Sequence, residues 1–164
     1  MIPRAQGGDL TAAQLEDYVA RLTRRPELWA HRIAHDPTAR VFEELERDDH
    51  LAVWLICWMD DHDTGFHDHD LSQGAVAVVR GAVHEDRLRF DGSRGRRTLG
   101  AGSTFSFGAS DIHRVLHAGH EPAVTLHAYS PPLWRMGAYE VRGDGTLARH
   151  SLSYAEELRP LEAA

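Results

Sequence analysis

From Leu51 onward the chain breaks into short apolar runs, LAVWLICWM, AVAVVRG, TFSFG, IHRVLHAG and AVTLHAYS, each the length of a strand rather than of a helix. Turn-forming clusters such as FDGSRG and GAGS separate them. Many short strands with turn signals between them fold as a sandwich or a small barrel. The nearly continuous run LAVWLICWM predicts a strand buried on both faces. GAYEVRGDGTLARHSLS reads as a hairpin turning at Asp144-Gly145. Ahead of the strands, Thr11 and Gln14 form a capping box, and Leu15, Val19 and Leu22 make one apolar helical stripe. Pro26 suits the first turn of a second helix in which Leu28, Trp29 and Ile33 share a face, ending at HDPTAR. The expectation is a single domain over 1–164, mainly β, with N-terminal α-helices over 11–36 and an antiparallel β-barrel over 51–150.

A chain of 164 residues with 42% hydrophobic and 26% charged residues suits one globular core. Its net charge of −7, with no Lys/Arg-rich run, speaks against nucleic acid or an anionic membrane as partner. MIPRAQGGDL has no apolar leader core and no stretch approaches transmembrane length, so the cytoplasm is the expected compartment. Cys57 is the single cysteine and excludes an internal disulfide. A monomer or weak homo-oligomer is expected.

Histidine is the unusual component, with twelve in the chain. On a strand, residues i and i+2 share a face, so His67 and His69 in GFHDHD project together while Asp68 and Asp70 point away. A third imidazole comes from His113 in SDIHRVLH, which opens another strand-like run after a Gly- and Ser-rich turn. An isolated His-x-His is commonly surface polarity; a pair entering a strand, with a third histidine in matching context, predicts a metal site. In TLHAYSPP, Thr125, His127 and Tyr129 share a face, three polar groups that an ordinary strand would bury and satisfy by hydrogen bonds.

These residues resemble a cupin. His67-x-His69, Gly74 and Gly81 follow the spacing of the first cupin motif, with Asp61 in place of its opening glycine and Gly74 in place of its glutamate. Gly102, Gly108, Ser110, His113 and His117 fall on the positions of the second motif, where Gly102 and His113 match in type. More narrowly, FHDHD, HRV, LHAYSPP and the ICW ahead of them resemble the thiol dioxygenases of the cysteine dioxygenase family, from about Arg40 to Tyr139. The resemblance implies Fe(II) held by His67, His69 and His113 with no carboxylate, and addition of O2 to a small thiol to give a sulfinic acid. It implies a relay of Thr125, which stands where the family has serine, His127 and Tyr129, whose hydroxyl reaches the substrate. Gly74 would leave room for that substrate; it also occupies the place of the cysteine that animal members crosslink to the tyrosine. The family's carboxylate-binding arginine falls at or beside Val41, so Arg40 is its counterpart if the intervening loop slips by one residue.

For the substrate pocket, Trp58, Trp134 and Met136, with Trp54 and Tyr139, are expected to supply aromatic and soft walls. The acidic WMDDHDTG beside them suggests a cationic thiol of the cysteamine or ergothioneine type as an alternative to cysteine. Two other classes fit the same residues: a cupin enzyme using Zn, Mn or Ni, and a non-catalytic small-molecule-binding cupin. Whether His62, His117 or His120 joins the site is open at this level.

Overall fold

The computed structural model describes residue 2 and residues 8–88, 93–143 and 146–153. One helix, α1 (Ala12–Leu22), is followed by eleven strands: β1 (Val41–Arg47), β2 (Ala52–Trp58), β3 (Phe66–Asp68), β4 (Gln73–Arg80), β5 (Ala82–Leu88), β6 (Arg94–Gly100), β7 (Thr104–Phe107), β8 (Ile112–Ala118), β9 (Ala123–Ser130), β10 (Arg135–Val141) and β11 (Leu147–Ser153). They form two antiparallel sheets, ordered β1-β2-β9-β4-β7 and β11-β10-β3-β8-β5-β6. The expected barrel is therefore present. It begins earlier than residue 51, because VFEELER pairs with β2 as an edge strand. Its mixed charge hid it from an apolar count.

The Thr11 capping box forms, with the Thr11 hydroxyl accepting from the Gln14 N–H and the Gln14 side chain accepting from the Thr11 N–H. The second expected helix does not. Residues 26–32 make two short 3-10 turns, Pro26–Leu28 and Ala30–Arg32, with Trp29 in a non-helical conformation between them. Packing accompanies this: the buried Trp29, at φ −142°, points its indole N–H back to the Leu22 carbonyl (3.0 Å) at the end of α1. The hairpin of β10 and β11 pairs as expected, and its Asp144-Gly145 turn lies outside the described residues.

Alternation along the central strands divides the core in two. In β2, Val53, Leu55 and Cys57 pack with Val124, Leu126 and Ala128 of β9 beneath Leu15, Tyr18, Val19 and Leu22 of the helix. The intervening Trp54, Ile56 and Trp58 face the space between the sheets, with Val76, Phe105, Phe107, Val115 and Met136. Both faces of β2 are thus covered, which explains its unbroken apolar run. Cys57 lies on the helix side, where burial pushes its thiol pKa up.

At the three-residue strand β3, outward-pointing Asp68 fixes the strand to its neighbours. Its carboxylate accepts from Tyr139 (2.6 Å), from the Gly137 N–H (3.2 Å) and from Arg149 (2.7 and 2.8 Å). Burial alone would raise this carboxyl's pKa, but the Arg149 and Tyr139 hydrogen bonds outweigh it and hold the group well below the usual range. Tyr139 is accordingly part of this outer clamp and not of a substrate wall, correcting the sequence expectation.

The turn between β4 and β5 is set by Gly81, whose φ of +62° favours glycine and whose missing Cβ would lie 2.8 Å from both the Pro122 carbonyl and Ala123 Cα. Backbone cannot yield there as a flexible side chain can. Gly81→Ala is expected to destabilise the fold by about 2 kcal/mol or more, read as a lower urea midpoint with an unchanged slope.

Candidate metal centre

In the antiparallel pairing of β3 and β8, His67 stands directly opposite His113, and their ring centroids lie 4.7 Å apart. His69 sits one residue beyond the end of β3, its N–H donating to the Ala109 carbonyl (3.3 Å), with its ring 4.8 Å from His67 and 5.1 Å from His113. One nitrogen from each ring lies within 4.8 Å of the others. Metal–nitrogen bonds of about 2 Å would draw these nitrogens closer together around a common ion. His62, His117 and His120 stay outside this group. The His62 ring accepts from the Met59 N–H, His117 lies against Asp60 and the Glu121 carbonyl, and His120 is exposed.

The hydrogen bonds around the rings assign their tautomers. His67 Nδ1 faces the Gly65 carbonyl at 3.0 Å and His113 Nδ1 faces a Glu85 carboxylate oxygen at 3.1 Å. Both partners only accept, so each Nδ1 carries the proton and each Nε2 keeps its lone pair. His113 Nε2 and both nitrogens of His69 are buried without a hydrogen-bond partner. Burial pushes the His67 pKa down to about 4 and those of His69 and His113 well below the usual imidazole value. Three neutral donors with unspent lone pairs fit a borderline divalent ion of the kind imidazole binds: Fe, Zn or Ni.

Gly74 does not open space for a substrate, as the sequence reading expected. A Cβ there would overlap the Phe107 ring and come within 3.2 Å of Tyr129 Cδ1. The phenyl ring fills the gap because β4 and β7 pair with Gly74 opposite Phe107. It stacks on His69 (centroids 4.4 Å, 21° between planes) and leans on His113 (4.4 Å). Phe107 thus supports the one imidazole that has no hydrogen bond of its own.

On β9 the period of two aims Thr125, His127 and Tyr129 at the same space from the facing sheet. The Trp58 indole N–H donates to the Thr125 hydroxyl (2.8 Å), Thr125 lies 2.8 Å from His127 Nε2, and His127 Nδ1 lies 3.2 Å from the Tyr129 hydroxyl. Burial first, then His67 and Arg40, lower the His127 pKa to about 3, so its ring carries a single proton. Trp58 engages one Thr125 lone pair, and the Thr125 O–H, 2.8 Å from Nε2 against 3.5 Å from the Ile56 carbonyl, is best spent on Nε2. The proton of His127 then sits on Nδ1, and the Tyr129 O–H is the donor at the pocket end of the chain.

The pocket between the sheets is lined by His67, His113, His127 and Tyr129, by apolar Trp54, Ile56, Val115, Leu133 and Met136, and by Thr64 and Arg40. Arg40 immediately precedes β1, is buried, and lies over the Trp58 ring at 5.6 Å; Val41 instead pairs with Cys57 in the sheet. Met136 lines the pocket, while Trp58 lies outside its lining and donates to Thr125. Trp134 is 82% exposed and lies outside the pocket, because it follows the inward-facing Leu133 and so points the other way. Asp60 and Asp61 are exposed, Asp63 is paired with Arg114, and none of them lines the pocket. The acidic stretch therefore gives this pocket no negative wall. Sequence reasoning missed Phe107, Leu133 and Glu85; the i, i+2 spacing of Glu85 and Arg87 on one strand was the available signal for the last.

The depressed histidines give the metal-free protein a defined response to acid. The unfolded chain takes up these protons near pH 6.5, whereas the folded rings resist them until far lower pH. The unfolded state therefore binds more protons below pH 6.5, and stability falls as pH falls. Each such group contributes up to about 1.4 kcal/mol per pH unit in that window. Melting temperature of the chelated protein should drop progressively from pH 7 to pH 5; a flat profile would count against neutral, buried imidazoles.

The fold and site can be set against known proteins. Residues 9–142 match the family model described as cysteine dioxygenase type I. Cysteine dioxygenase type 1 of Danio rerio is 32% identical over 100 residues, and that of Rattus norvegicus 30% identical over 99. Each alignment covers 55% of this chain and 50% of the relative, so the chain spans about half the length of the curated relatives it matches. Among solved structures, an uncharacterized Klebsiella pneumoniae protein with a double-stranded β-helix domain superposes with a TM-score of 0.55 at 13% identity, over 73% of this chain and 91% of that one. An oxalate oxidase superposes with a TM-score of 0.55 at 14% identity, over 64% and 59%. These likenesses establish the cupin-type double-stranded β-helix. The family match runs from the residues ahead of α1 into β10, taking in the three histidines and the Thr125, His127 and Tyr129 strand, and the chain belongs to the cysteine dioxygenase type I family.

Proposed function

We infer that the protein is a non-haem Fe(II)-dependent thiol dioxygenase that adds both atoms of O2 to the sulfur of a small thiol bearing a carboxylate, giving a sulfinic acid. The observation that carries the reading is one pocket lined by two of three clustered neutral imidazoles, His67 and His113, by the Tyr129 end of a buried hydrogen-bond chain, and by the guanidinium-bearing Arg40. Iron held by His67, His69 and His113 would supply a Lewis acid and redox centre with positions left for thiol and O2.

The chain's own residues do the rest. Arg40 pairs with the substrate carboxylate and sets the distance of the sulfur from the histidines. Tyr129 donates a hydrogen bond toward the reacting atoms, held in place by His127, Thr125 and Trp58. Trp54, Ile56, Val115, Leu133 and Met136 exclude water from the reacting sulfur. A pocket with a cation and no carboxylate in its wall favours carboxylate-bearing thiols such as L-cysteine or 3-mercaptopropionate over cysteamine, which has no carboxylate.

Oxygen uptake by the Fe(II)-loaded protein is to be measured with L-cysteine, 3-mercaptopropionate, mercaptosuccinate, cysteamine and ergothioneine, and sulfinate detected by mass. L-Cysteine and 3-mercaptopropionate are expected to turn over faster than cysteamine, the panel member without a carboxylate. Uptake with none of them in fully iron-loaded protein would favour another cupin chemistry or a binding role.

Tyr129→Phe should lower turnover about 100-fold or more with iron content retained, measured by uptake and metal analysis together. Arg40→Ala should lower kcat/KM for the carboxylate thiols by about 10- to 100-fold, the worth of a charge-assisted hydrogen bond. It should change the rate with cysteamine far less. Equal losses on both would mean that Arg40 serves packing alone.

A further inference from the structure

The carboxylate of Glu85 has no exposed surface, although it lies in a strongly charged run, HEDRL, of β5. Pairing of β5 with β8 sets Arg87 opposite His113 and Glu85 opposite Val115, so the Glu85 side chain reaches the imidazole diagonally. Its Oε1 lies 3.1 Å from His113 Nδ1 and accepts from Arg87 Nε at 3.0 Å, while Oε2 accepts from Arg97. Arg87 is itself held by the Ser106 carbonyl (2.7 Å), and Arg97 lies over the Phe105 ring (4.9 Å). Both arginines are partly open to solvent; they stand on the same face of the sheet as His113 and line a second, open cavity with Thr104 and Ser106 of β7. The carboxylate is thus gripped by two guanidiniums from outside and turned against a metal ligand inside. An ion pair needed only to join β5 to β6 gains nothing from such burial, since desolvation offsets its attraction.

We propose that Glu85 is a positioning residue for the metal centre, supplying through the Nδ1–H of His113 the carboxylate charge that the three imidazoles lack. The contact fixes the tautomer of His113, aims its Nε2 into the pocket and strengthens that nitrogen as a donor. The glutamate that the cupin pattern places on the metal, and that Gly74 replaces here, is in effect restored one hydrogen bond away. It carries charge to the centre without occupying a coordination position. The proposal rests on reading the three histidines as a metal centre.

Co(II) is a suitable probe because both its affinity and its visible spectrum report on the ligands. Glu85→Gln keeps an acceptor for the Nδ1–H and removes the charge. It is expected to weaken Co(II) binding by about 10- to 100-fold and to shift the visible bands. Arg97→Gln leaves the Glu85–His113 contact in place and should stay within about threefold of the parent, as for a half-exposed ion pair. A merely structural Glu85 would instead lower the melting temperature of the metal-free Gln variant and leave Co(II) affinity and spectrum at parental values; that result overturns the proposal. Should the Gln variant not fold, nitrogen NMR of the parent loaded with Zn(II) decides: His113 protonated on Nδ1 with a strongly downfield proton supports it, and protonation on Nε2 overturns it. A parent that binds neither Co(II) nor Zn(II) would overturn the metal reading itself, and the role of Glu85 with it.

Discussion

Imidazole nitrogens kept dry and without hydrogen-bond partners burden a fold by about 1–3 kcal/mol each, and the arrangement of this molecule follows from holding them so. His67 and His113 are placed by a single cross-strand pair, and their far nitrogens are tied to a carbonyl and a carboxylate. His69 has no such tie and is steadied by the face of Phe107. The ring of Phe107 fits only because residue 74 has no side chain. A glycine in place of a ligand is thus a packing requirement, and the same position cannot both carry a glutamate and admit the phenyl ring.

The two sheets divide the labour. The sheet bearing β3 and β8 supplies the donors, and the sheet bearing β9 supplies the chain from Trp58 through Thr125 and His127 to Tyr129. Within β9 the split is residue by residue: Val124, Leu126 and Ala128 secure the strand beneath the helix, while Thr125, His127 and Tyr129 face the pocket. The hydrogen-bonded chain is therefore carried on an element buried on both faces, where packing restrains backbone and side chains alike. Helix α1 lies far from the chemistry, yet Glu16 accepts from Thr104 and Ser106 of β7 and so braces the strand that presents Phe107.

The parts of this site legible in the sequence are those whose geometry is local. His67 and His69 share a face by strand period alone, as do Thr125, His127 and Tyr129, and the capping box of α1 lies within four residues. What escaped was set by register between distant strands. Glu85 meets His113 across 28 residues, and Phe107 meets Gly74 across 33. No spacing rule reveals either contact. Arg40 was ambiguous because one residue of slip turns a side chain to the opposite face, and only the pairing of Val41 with Cys57 resolves which residue enters the pocket. Trp134 misled for the opposite reason: an aromatic near a motif was taken for a wall, whereas the neighbouring Leu133 turns inward and Trp134 out.

The clamp on Asp68 bears on the order in which the molecule assembles. The strand carrying His67 is three residues long and makes few contacts with its own surroundings in sequence. Its neighbours are β8 and β10, and its carboxylate anchor is Arg149, 81 residues downstream. Contacts of such sequence separation form late, after their loop-closure entropy has been met by faster local pairings. On a growing polypeptide the first two histidines emerge well before the third and before the hairpin that stiffens them. A site built on His67, His69 and His113 therefore exists only once β3 and β8 have paired, so metal binding and closure of the sheet are coupled.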